Sequence, residues 1–111
     1  MIKTNKYKNV KVEIDDEKFD SKAEARRYAE LKLLASVGVI TQLKRQVVYE
    51  LAPSVIINGR KRPPLRYIAD FEYVEHGKLI VADVKGMLTP IYKLKRHLMM
   101  SVYGLAILET K

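Results

Sequence analysis

One short segment, Lys78–Lys85, constrains the fold more than any other part of the chain. It reads Lys-Leu-Ile-Val-Ala-Asp-Val-Lys. In an extended strand successive side chains point to opposite faces, so this segment is apolar on both faces. That pattern is typical of a strand that is covered on both sides. The same alternation places Asp83 and Lys85 on one face with Leu79 and Val81, so Asp83 is expected to be at least partly buried.

The preceding strand, Leu65 to Val74, supplies a charge that can face Asp83. If the chain turns at His76-Gly77 and pairs Glu75 with Lys78, Asp70 falls directly opposite Asp83. A three-residue turn would shift this pairing by one residue, so two registers remain open at this point.

These charges permit two interpretations. Facing residues on paired strands have Cβ atoms about 4.5–5.5 Å apart, so Asp70 and Asp83 could reach one divalent cation. Lys85 stands about 6–7 Å further along the same face, where it could hold a nucleophilic water or neutralise charge on a phosphate. The alternative is an Asp–Lys ion pair on an exposed sheet edge, because an Asp-x-Lys tripeptide alone carries little information.

Glu24 is a second candidate site residue, on the first predicted helix. Asp20 or Ser21 can cap this helix, which runs to about Val37 and is stopped by Gly38. Glu24 shares the face of the apolar stripe and could complete a metal shell or bind a metal-held water. It could equally complete a Ser-x-x-Glu capping box that only satisfies a backbone N–H. The apolar stripe consists of Tyr28, Leu31, Leu34 and Ala35.

The C-terminal helix is predicted to begin at Thr89-Pro90 and to end at Gly104. The residues expected to face inward are Ile91, Leu94, Leu98 and Val102. Lys95 lies near this stripe, where it either extends its charge to solvent or reaches a phosphate. Lys93 and Arg96 are expected to point away from the stripe.

The remaining segments are mostly extended. Strands are expected around Val10–Ile14, from Ile40 to Leu51, and from Leu105 to Leu108, and Asn58-Gly59 is a strong hairpin signal. Residues 1–9 are polar and Lys-rich and could form a flexible basic arm. No linker or repeat divides residues 1–111, so we expect one α/β domain.

Composition narrows the classes of function. The chain has 111 residues, no cysteine and two histidines, which excludes thiol catalysis and Cys-based zinc sites and leaves carboxylates as metal ligands. Its formal net charge of +8 suggests a polyanionic partner, most simply nucleic acid. Neither a signal peptide nor a membrane-length apolar run is present, so a cytoplasmic protein with no membrane partner is expected.

Taken together, these motifs resemble the PD-(D/E)xK nuclease superfamily. Glu24 lies on a first helix, followed by Tyr-Ile-Ala-Asp70-Phe, then Val-Ala-Asp83-Val-Lys85-Gly, then a helix and a strand. Within the superfamily the chain is similar to a group of small phage-encoded proteins. That group shares Phe-Asp-Ser-Lys-Ala-Glu near residue 20, Gly-Val-Ile-Thr-Gln-Leu near 40 and Asp-Val-Lys-Gly-x-x-Thr near 85. Ala69 stands where the motif name expects proline.

The resemblance implies a restriction-endonuclease-like αβββαβ core with a mixed central sheet flanked by helices. It also implies hydrolysis of DNA with Mg²⁺, for which Mn²⁺ could substitute. Asp70, Asp83 and Glu24 would bind the metal, Lys85 would act on the nucleophile, and the functional role of Glu24 is favoured over the cap.

The substrate is less constrained than the chemistry. The chain shows no base-reading module, which favours a nuclease that recognises the shape of branched DNA, as Holliday-junction resolvases do. Such enzymes usually act as homodimers, so a homodimer is expected. If the gene is phage-encoded, the protein would act in the host cytosol. The alternatives are a nuclease on single-stranded or duplex ends and a non-catalytic DNA-binding module. The residues expected to contact phosphates are Lys95, Lys93, Arg96, Arg60, Lys61, Arg62, Arg66, Lys44 and Arg45.

Overall fold

A four-stranded mixed sheet with a helix on each face forms the frame of the protein. The computed structural model describes residues 12–14 and 17–111. The helices are α1 (Lys22–Ser36) and α2 (Pro90–Tyr103). The strands are β1 (Val12–Ile14), β2 (Glu17–Phe19), β3 (Ile40–Ala52), β4 (Val55–Ile57), β5 (Arg60–Arg62), β6 (Leu65–Glu75), β7 (Lys78–Val84) and β8 (Ile107–Thr110).

The main sheet has the strand order β3-β6-β7-β8. The first two pairings are antiparallel, and β7 and β8 run parallel, connected through α2. Two small antiparallel pairs, β1-β2 and β4-β5, lie outside this sheet. Without these pairs the order is α1, β3, β6, β7, α2, β8, which confirms the expected α/β class and the αβββαβ order. The expected basic arm, residues 1–9, lies outside the described residues.

Strand β7 is covered on both sides, as its sequence predicts. Ala82 packs with Leu31 of α1, whereas its neighbour Val81 packs with Met99 of α2. Because adjacent side chains of a strand point to opposite faces, the two helices cover opposite faces of the sheet. The site charges of β7 and β6 therefore lie between two packed layers.

Helix α1 follows the sequence prediction closely. Ser21 is its N-cap, and its side chain accepts a hydrogen bond from the backbone N–H of Glu24. Tyr28 and Leu31 are buried, and Leu34 and Ala35 pack against the same cluster. The chain leaves the helix at Val37, and Gly38 has a φ of 81°, which glycine adopts readily.

The predicted inward face of α2 is wrong. Three of its four residues are at least half exposed: Ile91, Leu94 and Val102 have exposed fractions of 68%, 57% and 50%. The buried residues are instead Tyr92 and Met99, and Leu98 lies at the boundary. The helix carries two apolar stripes whose directions differ by about 100°, the rotation between neighbouring residues. The stripe that packs against the sheet is the one that contains the aromatic ring of Tyr92.

This rotation also corrects the positions of the basic residues of α2. Arg96 does not point away from the sheet: it forms an ion pair with Glu109 of β8 at 3.0 Å. Lys95 is half-buried, and Lys93 is exposed as expected. Within the described residues, neither helix has the length and apolar character needed to cross a membrane.

Candidate active site

The candidate site forms where β6 and β7 separate. A two-residue turn at His76-Gly77, with φ values of 52° and 75°, pairs Glu75 with Lys78. The ladder continues to the pair Phe71 and Ala82, which confirms the first of the two predicted registers. The next level brings Asp70 and Asp83 side by side.

At this level the two carboxylates take the place of backbone acceptors. The backbone N–H of Asp70 donates to Asp83 Oδ1 at 3.0 Å. The backbone N–H of Val84 donates to Asp70 Oδ2 at 2.8 Å. These reciprocal bonds fix both side chains and leave one oxygen of each, Asp70 Oδ1 and Asp83 Oδ2, outside the ladder.

The pair is poorly compensated in charge. The side chain of Asp83 is 1% exposed, and its Oδ2 is buried without a hydrogen bond of normal geometry among the described residues. Burial, and then the charge of Asp83, raise the pKa of Asp70 to about 8. Burial and the nearby Asp83 also raise the pKa of Tyr67. A positive charge placed between the two carboxylates would relieve this repulsion.

Lys85 supplies one positive charge at the site. Its Nζ lies 3.1 Å from Asp83 Oδ2 and 4.4 Å from the ring centroid of Tyr92. Its backbone N–H donates to the carbonyl oxygen of Thr110 at 2.7 Å, which holds the end of β7 against β8. A cation above an aromatic face is attracted to it, so Tyr92 orients the ammonium group of Lys85.

Tyr92 and Glu109 are site residues that the sequence analysis did not find. The Tyr92 hydroxyl donates to Glu109 Oε2 at 2.6 Å. Burial and this bond raise the pKa of Tyr92, and the same bond, together with Arg96, lowers the pKa of Glu109. The sequence analysis missed them because it assigned a different face of α2 to the interior. Placing the aromatic residue Tyr92 on the buried face would have pointed to this pair.

Glu24 lies near the carboxylate pair, in the first turn of α1. Its backbone N–H bonds to Ser21, but its side chain, 4% exposed, turns toward the sheet. There its Oε1 accepts a hydrogen bond from Gln46 at 3.1 Å and lies 3.6 Å from the guanidinium of Arg45. Burial and the charge of Asp20 raise the pKa of Glu24, and Arg45 opposes this shift.

Gln46 holds an unusual backbone conformation at the same level. The ladder pairs Arg45 with Phe71 and Val47 with Ala69, so Gln46 stands level with Asp70. Its φ is 52°, in the left-handed region that side chains other than glycine seldom adopt. Such strain costs about 1–3 kcal/mol and concentrates at functional sites.

Asp70 and Asp83 are the two carboxylates that can share a divalent cation at this site. No group of three or more His, Cys, Asp or Glu side chains within the described part of the chain is placed to hold an ion, so Glu24 does not join Asp70 and Asp83 in a closed cage. Mg²⁺ commonly binds through only one or two carboxylates together with water and substrate phosphates. Asp70 Oδ1 and Asp83 Oδ2, which forms an ion pair with the ammonium group of Lys85, fit that arrangement.

Apart from Lys95, which is half-buried, the predicted phosphate contacts divide into three groups. Arg60, Lys61, Arg62, Arg66 and Lys93 are exposed. Lys44 lies 3.9 Å from Glu72, and Arg96 is engaged with Glu109. Arg45 is an interior residue rather than a surface one, since its guanidinium stacks 3.8 Å from the Phe19 ring centroid and bonds to the Lys18 carbonyl oxygen.

A shallow pocket opens beside Lys85. It has a volume of about 260 Å³ and is lined by residues 85–88 and 109–111. The pocket places open space next to Lys85 and Glu109, where a substrate group can approach.

A comparison with protein families matches residues 4–108 of the chain. The chain belongs to the DUF1064 family. The family is described as a protein of unknown function, and the match includes Glu24, Asp70, Asp83 and Lys85. Comparisons with curated proteins and with solved structures give no match. Any inference about the function of this DUF1064 chain therefore depends on the geometry of its candidate site.

Proposed function

We propose that this protein is a Mg²⁺-dependent DNA endonuclease. The observation that carries the proposal is the grouping of Asp70, Asp83 and Lys85 at the point where two buried strands separate. The pKa of Asp70 is raised by burial and by Asp83, and groups with perturbed pKa values concentrate at functional sites.

Each residue has a distinct role in this proposal. Asp70 and Asp83 would hold the cation, and Mg²⁺ when bound would act as a Lewis acid on the scissile phosphate. Lys85 donates hydrogen bonds to phosphate oxygens whose negative charge grows as a water oxygen attacks phosphorus and the P–O bond to the sugar breaks. The ring of Tyr92 orients Lys85, and Glu24 stands ready to accept a hydrogen bond from water at the edge of the site.

The substrate part of the proposal rests on charge and on the resemblance to the PD-(D/E)xK superfamily. The net charge of +8 and the exposed basic residues favour DNA. A homodimer that cleaves branched DNA in the cytoplasm is the form of the proposal that we favour. Paired nicks placed symmetrically across a four-way junction would support it, whereas products from strand ends would indicate an end-directed nuclease.

The catalytic part is tested by incubating labelled DNA with the protein and Mg²⁺ or Mn²⁺, with EDTA as the blank. We expect Asp83→Asn and Lys85→Ala to lower the cleavage rate by at least about 100-fold while DNA binding survives. Asparagine is chosen because it retains an acceptor for the backbone N–H of Asp70.

Matched controls lie at the other end of the same two strands. Glu75 and Lys78 form the first pair of the ladder next to the turn. Glu75→Gln and Lys78→Ala should therefore leave cleavage within about 2-fold of the original protein. Full activity in Lys85→Ala would refute the role proposed for Lys85. No metal-dependent product on linear, single-stranded, flapped or branched DNA would refute catalysis and leave DNA binding as the function.

A further inference from the structure

The hairpin formed by β4 and β5 is a separate arm of the protein. The last pair of the main ladder joins Ala52 to Leu65. Pro53 comes directly after Ala52, and Pro63-Pro64 come directly before Leu65. Because proline has no backbone N–H to donate to a ladder, the sheet ends there. A new two-stranded ribbon then begins, closed by Asn58-Gly59 with φ values of 51° and 77°.

All six residues of this ribbon are exposed. One strand is Val-Ile-Ile and the other Arg-Lys-Arg, so each apolar side chain faces a basic one: Val55 with Arg62, Ile56 with Lys61 and Ile57 with Arg60. None of these residues belongs to either hydrophobic cluster. The side chain alternation exposes apolar groups on both faces of the ribbon, and Ile56 has an exposed fraction of 74%.

Charge identifies the kind of partner that this ribbon fits. Residues 51–69 contain four arginine and lysine residues and no aspartate or glutamate. None of the arm's basic residues forms an ion pair with a described acidic residue. The exposed cations of this ribbon can pair with phosphates, and its exposed β-branched groups can pack against thymine methyl groups or against the faces of bases where a step opens. Double-stranded DNA offers both kinds of contact, since phosphates border each groove and the bases lie inside it.

The position of the arm relative to the site is also suitable. Leu65 and Asp70 lie on the same strand, five residues apart, which corresponds to roughly 17 Å. This is less than one turn of duplex, about 34 Å. A duplex with a phosphate at Asp70 and Asp83 therefore has a groove within reach of the arm.

We propose that the β4–β5 hairpin is a DNA-contacting arm that enters a groove with its β4 edge leading. Ile56 and Ile57, on the two faces of that edge, then lie against the bases, and Arg60, Lys61 and Arg62 of the trailing strand contact the phosphates. Apolar side chains that enter a groove unstack base steps and bend the duplex. The arm would thus favour DNA that is already bent or branched, because such DNA has less stacking to lose. This inference rests on the proposed DNA-directed function but does not require catalysis.

The test measures DNA binding by fluorescence anisotropy in EDTA, with a duplex and with a four-way junction, at several salt concentrations. For the triple variant Arg60→Ser, Lys61→Ser and Arg62→Ser, the log–log salt slope should become shallower by about 2.7, since each phosphate contact contributes roughly 0.9. For Ile56→Ser and Ile57→Ser, the slope should stay unchanged while affinity falls roughly 10-fold. A 2-aminopurine base in the duplex should brighten with the original protein and not with the apolar variant.

Matched controls come from α1, on the exposed side of a helix remote from the arm. Lys22→Ser with Arg26→Ser controls for lost charge, and Leu33→Ser with Val37→Ser controls for lost exposed apolar groups. Both should bind DNA as the original protein does. If the double apolar variant does not fold, Ile56→Ser alone replaces it.

Three results would overturn the inference. The first is arm variants that bind with the original affinity and salt slope. The second is an apolar variant that changes the salt slope as much as the basic one. The third is an apolar variant that converts a dimer to a monomer in ultracentrifugation without a change in DNA affinity, which would assign the arm to contacts between copies. Because these readouts use EDTA, loss of catalysis alone would leave the inference standing.

Discussion

The substitution Asp70→Asn is expected to stabilise the metal-free protein at neutral pH. Asparagine keeps an oxygen that accepts the backbone N–H of Val84, now held by Asp70 Oδ2 at 2.8 Å. It removes the carboxyl whose pKa is raised to about 8 by burial and by Asp83. The expected gain in stability thus comes from removing an unfavourable ionisation rather than from a new contact.

The sign and the size of this effect follow from proton linkage. An unfolded aspartate loses its proton near pH 4, whereas the folded site keeps one until about pH 8. Between these values folding takes up a proton, so the free energy of unfolding falls as pH rises, by up to about 1.4 kcal/mol per pH unit. The free energy of unfolding of Asp70→Asn lacks this dependence on pH, because asparagine does not titrate. From pH 5 to pH 7 its advantage should grow by about 2 kcal/mol, or roughly 8 °C in Tm.

The assay is thermal and urea unfolding in EDTA at pH 5, 6, 7 and 8, followed by circular dichroism. The matched control is Glu30→Gln, which alters an exposed carboxyl of α1 that pairs with Arg27. The difference between this control and the original protein should not change with pH. A constant difference between Asp70→Asn and the original protein from pH 5 to pH 7 would refute the reasoning, because it would show that Lys85 already compensates an ionised pair.

Three further outcomes are expected. Mg²⁺ should raise the Tm of the original protein and not that of Asp83→Asn, and an equal rise in both would remove Asp83 from the cation site. Arg45→Met should lower the free energy of unfolding by about 2 kcal/mol, because it leaves Glu24 buried without its cation. The salt dependence of DNA binding should not change, and a shallower log–log salt slope would restore Arg45 as a phosphate contact. Met99→Ala should cost about 3 kcal/mol in urea unfolding and Ile91→Ala less than about 0.5, and the reverse order would contradict the observed face of α2.

Local sequence rules narrowed the strand pair that carries the site to two registers. A two-residue turn at His76-Gly77 is favoured by the preference of such turns for positive φ, and strand alternation then determines which side chains face each other. The structure has this turn and therefore the register that brings Asp70 beside Asp83. The Ser21 cap and the apolar stripe of α1 are equally local, and the structure confirms them.

The features that sequence reasoning missed depend on contacts between distant segments. On α2 two apolar stripes compete, and the choice depends on β8, where Glu109 accepts the hydroxyl of Tyr92. Arginine is usually a surface residue, and Arg45 is largely covered because Phe19 and Glu24, from other elements, pack against it. No spacing rule in one sequence carries that information.

The exchange of bonds between the backbone and the two aspartates links the architecture of the protein to its candidate chemistry. Each carboxylate closes the end of the sheet by accepting an amide that would otherwise be left without a partner. Replacing either with an apolar residue would therefore loosen the sheet as well as remove a charge. Under the proposed function, a relative without activity would still need an acceptor at both positions to close the sheet. Aspartate or asparagine there would then reflect the fold, and a lysine at position 85 would be the better marker of cleavage.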